Sequence, residues 1–250
     1  MTDFKGKVAV VTGGAKGIGR CIVETFAKGG AQTVILDFDS SAGETLADEI
    51  NGRGESALFI KTDVSQVASL GQARDLVMAQ LGRIDLLVIN AGISYHHSLQ
   101  EIDVEEWQRV ININLSGSFY TIKAFLADLI QQKNQGKVVF ITSGSGITGT
   151  GGGAHYAASK SGQHGLMRNL AKELGPLGIN VNAIAPRVIQ TDILDHLYPT
   201  EESREVLLKQ IPLGRIGQPQ DIANLAVFLA SPESSYIHGQ IILADGGRTY

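Results

Sequence analysis

The sequence predicts a doubly wound α/β domain, with one parallel sheet of about seven strands and helices on both faces, as a single unit over residues 1–250. Three observations predict it. Short runs rich in Val and Ile recur at intervals of roughly 25–50 residues, continuously apolar as strands buried on both faces must be. Longer segments with helical spacing fill the gaps, and strand–helix alternation of this kind builds a parallel sheet. The glycines gather at the ends of the apolar runs, in "GGAKGIG", "SGSGITGTGGG" and "ADGG", where backbone turns tightly or approaches a neighbour.

In chain order, the strands are "KVAVVT" (7–12), "TVILD" (33–37), "ALFIKTD" (57–63), "IDLLVIN" (84–90), "KVVFITS" (137–143), "INVNAIAP" (179–186) and "QIILADGG" (240–247). Helical spacing covers 18–29, 41–51, 66–81, 103–131, 155–174 and 219–230. The last of these, "PQDIANLAVFLAS", opens on Pro then an acid, a helix-start signature. Trp107 falls inside the 103–131 helix and reads as packing. The least regular stretch is 187–217, which includes Pro199, Pro212 and "TEESRE". A long segment without a strand, just after a strand end, is a candidate lid and substrate loop.

Composition narrows the function. A net charge of −4 gives no basic footprint for nucleic acid. No apolar run approaches the roughly 18–20 residues that span a bilayer. The single Cys21 fits a reducing compartment, and "MTDFKGK" lacks the apolar core of a signal peptide, so a cytoplasmic protein is expected. No His/Cys cluster has metal-ligand spacing, so no metal is expected.

"VAVVTGGAKGIGR" puts Gly13, Gly17 and Gly19 directly after the first strand, with a helix starting near Ile18. Such a turn brings backbone N–H groups and a helix N-terminus to a pyrophosphate. Asp37 ends the second strand, 18 residues past Gly19, where an acid accepts ribose hydroxyls and repels a 2′-phosphate. Lys16 argues the other way, as a cation that suits the extra phosphate. The spacing of Asp37 favours NAD over NADP, with Phe38 beside it. "TDVS" places Asp63 and Val64 at the third strand end, where the acid can meet an adenine amine. "INAG" places Asn90, Ala91 and Gly92 at the fourth, near the crevice where strand order should reverse.

"HYAASK" spaces Tyr156 and Lys160 four apart, on one face of a helix. Tyrosine titrates near ~10 and is a poor base at neutral pH, but a nearby ammonium favours tyrosinate. Ser143 ends the fifth strand, and "NINLSG" supplies Asn114. With "TGGAKGIG", Asp63, "NAG", "NLSG", Ser143, "YAASK" and a late "P…T" segment in place, the chain resembles the short-chain dehydrogenase/reductase family from about residue 5 to about 247.

That resemblance implies a Rossmann-type fold and a tetrad of Asn114, Ser143, Tyr156 and Lys160. Tyr156 is then the general acid/base, and Ser143 hydrogen-bonds the substrate oxygen. Lys160 binds the nicotinamide ribose and depresses the Tyr156 pKa, while Asn114 holds a relay water. Pro186, Val188 and Thr191 match positions on the nicotinamide side. Family members are commonly tetramers, built through helices equivalent to 103–131 and 155–174 and the C-terminal strand, so a homotetramer is implied.

The family covers many alcohols and carbonyls. The loops offer Ser94, Tyr95, His96, His97, Ser145, Thr150, His155 and Arg187, a polar set that points to a sugar, sugar acid or polyol. His97, His155, Ser145 and Arg187 are the candidate substrate contacts beside Ser143, although His155 also reads as a helix-start residue. Arg187 stands where the family usually has glycine, which questions the local backbone and puts a cation beside the pocket. It either receives an anionic substrate group or pairs outward with Asp192 or Asp195. The alternative enzyme is a reductase of 3-oxoacyl thioesters. Members of that type usually prefer NADP and carry basic residues near the second strand end, where this chain has Asp37. A non-catalytic dinucleotide sensor is the further alternative.

Overall fold

The computed structural model describes residues 3–131, 136–191, 194 and 200–249. Strand β1 (Val8–Thr12) leads through α1 (Gly17–Lys28) to β2 (Gln32–Asp37), and α2 (Ser40–Gly52) leads to β3 (Ser56–Lys61). After α3 (Val67–Leu81) and β4 (Leu86–Ile89) come α4 (Val104–Ile111) and α5 (Gly117–Ile130). Then follow β5 (Lys137–Ile141), the short α6 (Ser145–Thr148), α7 (Gly153–Leu174) and β6 (Asn180–Pro186). The described part of the chain ends with α8 (Glu201–Leu208), α9 (Pro219–Ala230) and β7 (Ile241–Ala244).

The seven strands form one sheet in the order β3-β2-β1-β4-β5-β6-β7, every pair parallel. The order reverses between β1 and β4, so their carboxyl ends frame the crevice that binds ligands in open α/β sheets. Alternate residues of each strand feed two cores. Ala9, Val11, Ile35, Val139 and Ile184 pack with Ile22, Phe26, Leu46 and Ile222 of α1, α2 and α9. Val8, Val10, Val34, Val138 and Val181 pack with Val77, Phe125 and Met167 of α3, α5 and α7. Burial on both faces is why the strands read as unbroken apolar runs rather than as alternation.

Two stretches differ from the reading above. The single helix expected over 103–131 is two, joined by a π-helical turn, Asn112–Ser116. Such wide turns are rare and frequently mark functional sites, and this one carries Asn114. The stretch 187–217 holds α8 and a parallel bridge from Ile189 to Gly217, which ties it to the body of the domain. No helix among the described residues is long and apolar enough to cross a membrane.

Candidate active site

A cleft of about 1110 Å³ opens along the carboxyl ends of β1 to β6. At one end lies the glycine turn. Gly13 has φ +61°, and a Cβ there would stand 2.8 Å from Ala91 Cα. A Cβ on Gly19 would drive into the Gly13 carbonyl oxygen. These glycines let the first turn of α1 fold against the end of β4, and α1 starts at Lys16 without a side-chain cap, so its first amides are not taken by a capping group. An anion-binding N-terminus of this form fits a dinucleotide pyrophosphate.

Asn90 is spent on holding this turn. Its Nδ2 donates to the carbonyl oxygens of Gly13 (2.8 Å) and Thr12 (3.1 Å), while its amide donates to Thr12 Oγ1 (3.0 Å). Asp37 is fixed likewise: its carboxylate accepts from the amides of Ala15 (2.9 Å) and Asp39 (3.0 Å). Lys16 ion-pairs with Asp39 at 2.6 Å, and that bond holds the Asp39 carboxyl below its ordinary range. Asp63 accepts from the Ser65 amide (2.9 Å) and hydroxyl (2.7 Å). Phe38 is largely exposed beside the same cleft, under the Lys61 ammonium at 5.7 Å. Ile18, Val64 and Gly92 complete the wall, and Thr191 reaches across to Gly17.

Midway along the cleft, α7 presents Tyr156 and Lys160. The Tyr156 hydroxyl hydrogen-bonds Ser143, and the Ser143 Oγ also accepts from the Ser145 amide at 3.1 Å. Burial pushes the Tyr156 hydroxyl up from its usual range, and the Ser143 bond offsets part of that rise. The lowering expected from Lys160 is therefore not what the protein alone produces. Lys160 Nζ sits 5.6 Å from the Tyr156 ring centroid and donates to the Ile141 carbonyl at 3.2 Å. A neutral carbonyl does little to offset desolvation, so burial drops the Lys160 ammonium to about 8.

Asn114 is fully buried behind these two residues. Its Oδ1 accepts from the Ile93 amide (2.8 Å), and its Nδ2 donates to the Ile93 carbonyl (2.9 Å) and to Ser159 Oγ (3.1 Å). Its main-chain oxygen accepts from Ser118 Oγ (2.6 Å) and Gln163 Nε2 (2.8 Å). Gly92 leaves a gap in front of it: a Cβ there would stand 3.2 Å from Asn114 Oδ1 and 3.4 Å from Lys160 Nζ.

The substrate end differs from expectation at two histidines. His155 does not line the cleft. It is fully buried, with Nε2 on Glu106 Oε1 at 2.7 Å and Nδ1 accepting the Tyr156 amide at 2.8 Å. His97 bonds the same carboxylate at 2.9 Å and also lies off the cleft. His155 thereby joins the start of α7 to α4, and His97 joins the β4–α4 loop to α4, so both are held away from the cleft. Ser145 and Arg187 do line the cleft, with His96, Thr150 and Gly151. The Arg187 guanidinium donates to Thr150 Oγ1 (2.8 Å) and Thr249 Oγ1 (3.2 Å). Its possible partners Asp192 and Asp195 lie outside the described residues. The strained backbone falls one residue later than the glycine comparison suggested: Val188 has φ +60°, unusual for a β-branched side chain.

Arg109, Ile113, Leu194 and Arg248 also line the cleft and have no counterpart in the motif reading. They come from α4, the π turn, the substrate loop and the C-terminal tail, brought in by tertiary packing that no local spacing signals.

A parallel sheet with a glycine turn after its first strand and a Ser–Tyr–Lys group on one cleft fits a nicotinamide-dependent oxidoreductase acting on CH–OH and carbonyl groups. Comparison with known proteins narrows this. Residues 13–249 match a family model described as enoyl-(acyl carrier protein) reductase. Two 3-oxoacyl-[acyl-carrier-protein] reductases named FabG are similar over 98% of both chains. The one from Escherichia coli is 37% identical over 245 residues, and the one from Thermotoga maritima 39% over 244. The crystal structure of a short-chain type dehydrogenase/reductase from Mycobacterium marinum superposes with a TM-score of 0.92 at 35% identity, covering 99% of this chain and 97% of that one. The chain belongs to the short-chain dehydrogenase/reductase family.

These relatives overturn the expectation of a sugar, sugar acid or polyol substrate and of a place in carbohydrate metabolism, because they are named for 3-oxoacyl carrier-protein thioesters. The polar loop residues misled because any carbonyl substrate needs polar groups around its reacting oxygen, whatever it carries elsewhere.

Proposed function

We propose that the protein reduces the 3-oxo group of an acyl thioester to the 3-hydroxy product. The observation that carries the chemistry is the Tyr156 hydroxyl bonded to Ser143 in the cleft, with Lys160 one helical turn on. The substrate class follows from the near-full-length likeness to 3-oxoacyl reductases. When bound, the nicotinamide supplies the hydride to the substrate carbon. Tyr156 gives its hydroxyl proton to the carbonyl oxygen, which becomes the alcohol. Ser143 donates a hydrogen bond to that oxygen and steadies its developing charge. Burial that raises the Tyr156 pKa keeps it protonated at neutral pH, as an acid in this direction must be. Lys160, with a proton held near pH 8, reprotonates Tyr156. Asn114 Oδ1 and the gap at Gly92 give a relay water its place beside Lys160. Reduction of acetoacetyl thioester, followed by absorbance at the reduced-nicotinamide band, tests this reading. No turnover with either cofactor overturns it.

We assign NADH rather than NADPH as the partner. Gly13, Lys16, Gly17, Ile18 and Gly19 hold the pyrophosphate, with Asp37, Phe38, Asp63 and Val64 around the adenosine. Asn90, Ala91, Gly92, Pro186, Val188 and Thr191 flank the nicotinamide side. Two backbone amides orient Asp37, so its charge stands fixed against a 2′-phosphate, and Asp39 takes up the Lys16 cation that would favour one. Asp37→Ser should shift the NADH:NADPH ratio of kcat/KM toward NADPH by at least about tenfold, a change of about 1.4 kcal/mol. An unchanged ratio removes the assignment. A homotetramer and a cytoplasmic location complete the proposal, supported by the family's usual assembly and by the lone Cys21. Light scattering that returns a monomer overturns the assembly.

A further inference from the structure

Behind the cleft wall, two histidines share one carboxylate. His155 is fully buried, with Nε2 2.7 Å from Glu106 Oε1. His97 Nδ1 lies 2.9 Å from Glu106 Oε2. Glu106 itself is fixed in the first turn of α4, where its amide donates to the N-cap oxygen Asp103 Oδ1 at 2.7 Å. The other nitrogen of His155 meets the residue that reacts: the Tyr156 amide donates to Nδ1 at 2.8 Å. Nδ1 therefore carries no proton, and the ring proton lies on Nε2, toward Glu106. A buried imidazole with both nitrogens satisfied is held in one orientation.

The start of α7 needs such a hold. Its N-cap is Gly152, which has no side chain to cap with, and Gly151, Gly152 and Gly153 run at φ +86°, +75° and +74°. Glycine gives this turn little stiffness of its own. Yet Tyr156 leans over it, because helical side chains point back toward the N-terminus. A Cβ on Gly152 would stand 2.5 Å from Tyr156 Cδ1 and 2.7 Å from Ser94 Oγ. On Gly153 it would stand 2.8 Å from the His97 carbonyl oxygen and 3.0 Å from His155 Cε1, so the loop that bears His97 closes on the same turn. The place of the Tyr156 hydroxyl against Ser143 thus depends on where the first turn of α7 sits.

We propose that His155 is a positioning residue for Tyr156, with Glu106 of α4 holding its ring in place. His97 braces the carboxylate from the β4–α4 loop. A strut between α4 and α7 would need only the Nε2 side of the ring. The Nδ1 side is what reaches the main chain of the reacting residue, and a misplacement of about 1 Å there costs on the order of a hundredfold in rate. The proposal deepens the reductase reading and rests on it for the role of Tyr156 as the acid.

The test compares His155→Leu with His155→Asn. Both lose the bond to Glu106, but the Asn oxygen stands where Nδ1 stood and still accepts the Tyr156 amide. With acetoacetyl thioester and NADH, His155→Leu should lower kcat by roughly tenfold to a hundredfold. Its KM for NADH should stay within about twofold of the wild type, since binding of the cofactor is not what His155 serves. His155→Asn should keep a kcat about three- to tenfold above that of His155→Leu, the worth of one net hydrogen bond. Equal kcat in the two variants, or a loss carried by the KM for NADH, overturns the proposal. Should His155→Leu not fold, Glu106→Ala takes its place: it should lower kcat in the same pattern, and Glu106→Gln, whose amide oxygen still accepts the Nε2 proton, should restore most of it. Equal activity in those two variants also overturns the proposal. A further measurement needs no turnover. In tyrosine-labelled protein, the Tyr156 ring signal, identified by its loss in Tyr156→Phe, should shift in His155→Leu or Glu106→Ala and shift less in His155→Asn. A signal that stays in place overturns the positioning role. A wild type that reduces no thioester removes the reductase reading, and the Tyr156 signal alone then decides the positioning.

Discussion

At the β1–β3 end of the cleft, the groups that face a ligand are backbone amides and a carboxylate pinned by backbone, with glycines packed so closely that a methyl group does not fit. At the far end, they are long side chains on loops and the C-terminal tail, tied to one another by side-chain bonds. The first end can accept one ligand shape and little else. The second can change its chemistry by exchanging one side chain. A dinucleotide common to a whole family therefore belongs at the rigid end, and substrate choice belongs at the adjustable one.

The largest expected effect breaks the rigid end. In Gly19→Ala, the new methyl meets the Gly13 carbonyl and the Asn90 amide, and neither can retreat, because Asn90 ties β1 to β4. The variant should lose more than about 3 kcal/mol in urea unfolding, above the usual cost of overpacking, and should no longer bind NADH. At the far end, a methyl on Gly149 meets nothing within 4 Å, so only its φ of +70° opposes the change. Gly149→Ala should cost about 1 kcal/mol and leave NADH binding in place. Similar losses in the two variants would erase the contrast.

Next in size is Tyr156→Phe, at the junction of the two ends. It should lower kcat by about 10²–10⁴, the range for a positioned acid. The loss should fall on kcat far more than on NADH affinity. A variant that loses NADH binding instead would make Tyr156 a part of the rigid end rather than a reacting group.

The contrast also explains what the sequence reveals. The succession of strands and helices along the chain, the glycine turn and Asp37 are legible because short local spacings dictate them: a strand, a tight turn and a helix start occupy consecutive residues. Ser143, Tyr156 and Lys160 are legible as a pattern, but the raised Tyr156 pKa is not, since burial is set by residues distant in the chain. His155 sits beside Tyr156 in sequence yet faces Glu106 on another helix, and Arg248 reaches the cleft from the tail. Side chains brought in by tertiary packing leave no mark in local spacing. The π turn at Asn112–Ser116 is also hidden, because its residues suit an ordinary helix.

Lys160→Met tests the desolvation at the junction. The folded pKa of about 8 lies below the ordinary 10.5, so folding disfavours the ammonium. The penalty is fully present below pH 8 and fades as pH rises to 10.5, where the unfolded chain also loses its proton. The Met variant should therefore be more stable than the wild type by up to about 3 kcal/mol at pH 7, less the lost bond to Ile141, while losing activity. Its advantage in thermal unfolding should shrink between pH 8 and 10.5. A difference independent of pH would mean that Lys160 carries its full charge in the fold.

The smallest effect, absent at neutral pH, separates the two ends by acid. His164 is buried under the substrate-side loop, with Nε2 on Thr142 Oγ1 at 2.9 Å. Burial, with Arg168 and Lys160 nearby, lowers its pKa from 6.5 to about 4. Folding thus favours the neutral ring. The stability this gives is complete above pH 6.5 and is lost as pH falls through 4, because the unfolded chain takes up the proton first. His164→Gln keeps a partner for Thr142 and cannot be charged. It should match the wild type at pH 7.5 and exceed it by on the order of 1–3 kcal/mol near pH 4. Since Thr142 directly follows β5 and Gly146 crowds the His164 ring, protonation should loosen residues 143–153 first. Hydrogen exchange at pH 5 should then show that loop losing protection while 13–19 keeps it, and loss in both together would show that the two ends of the cleft are one cooperative unit.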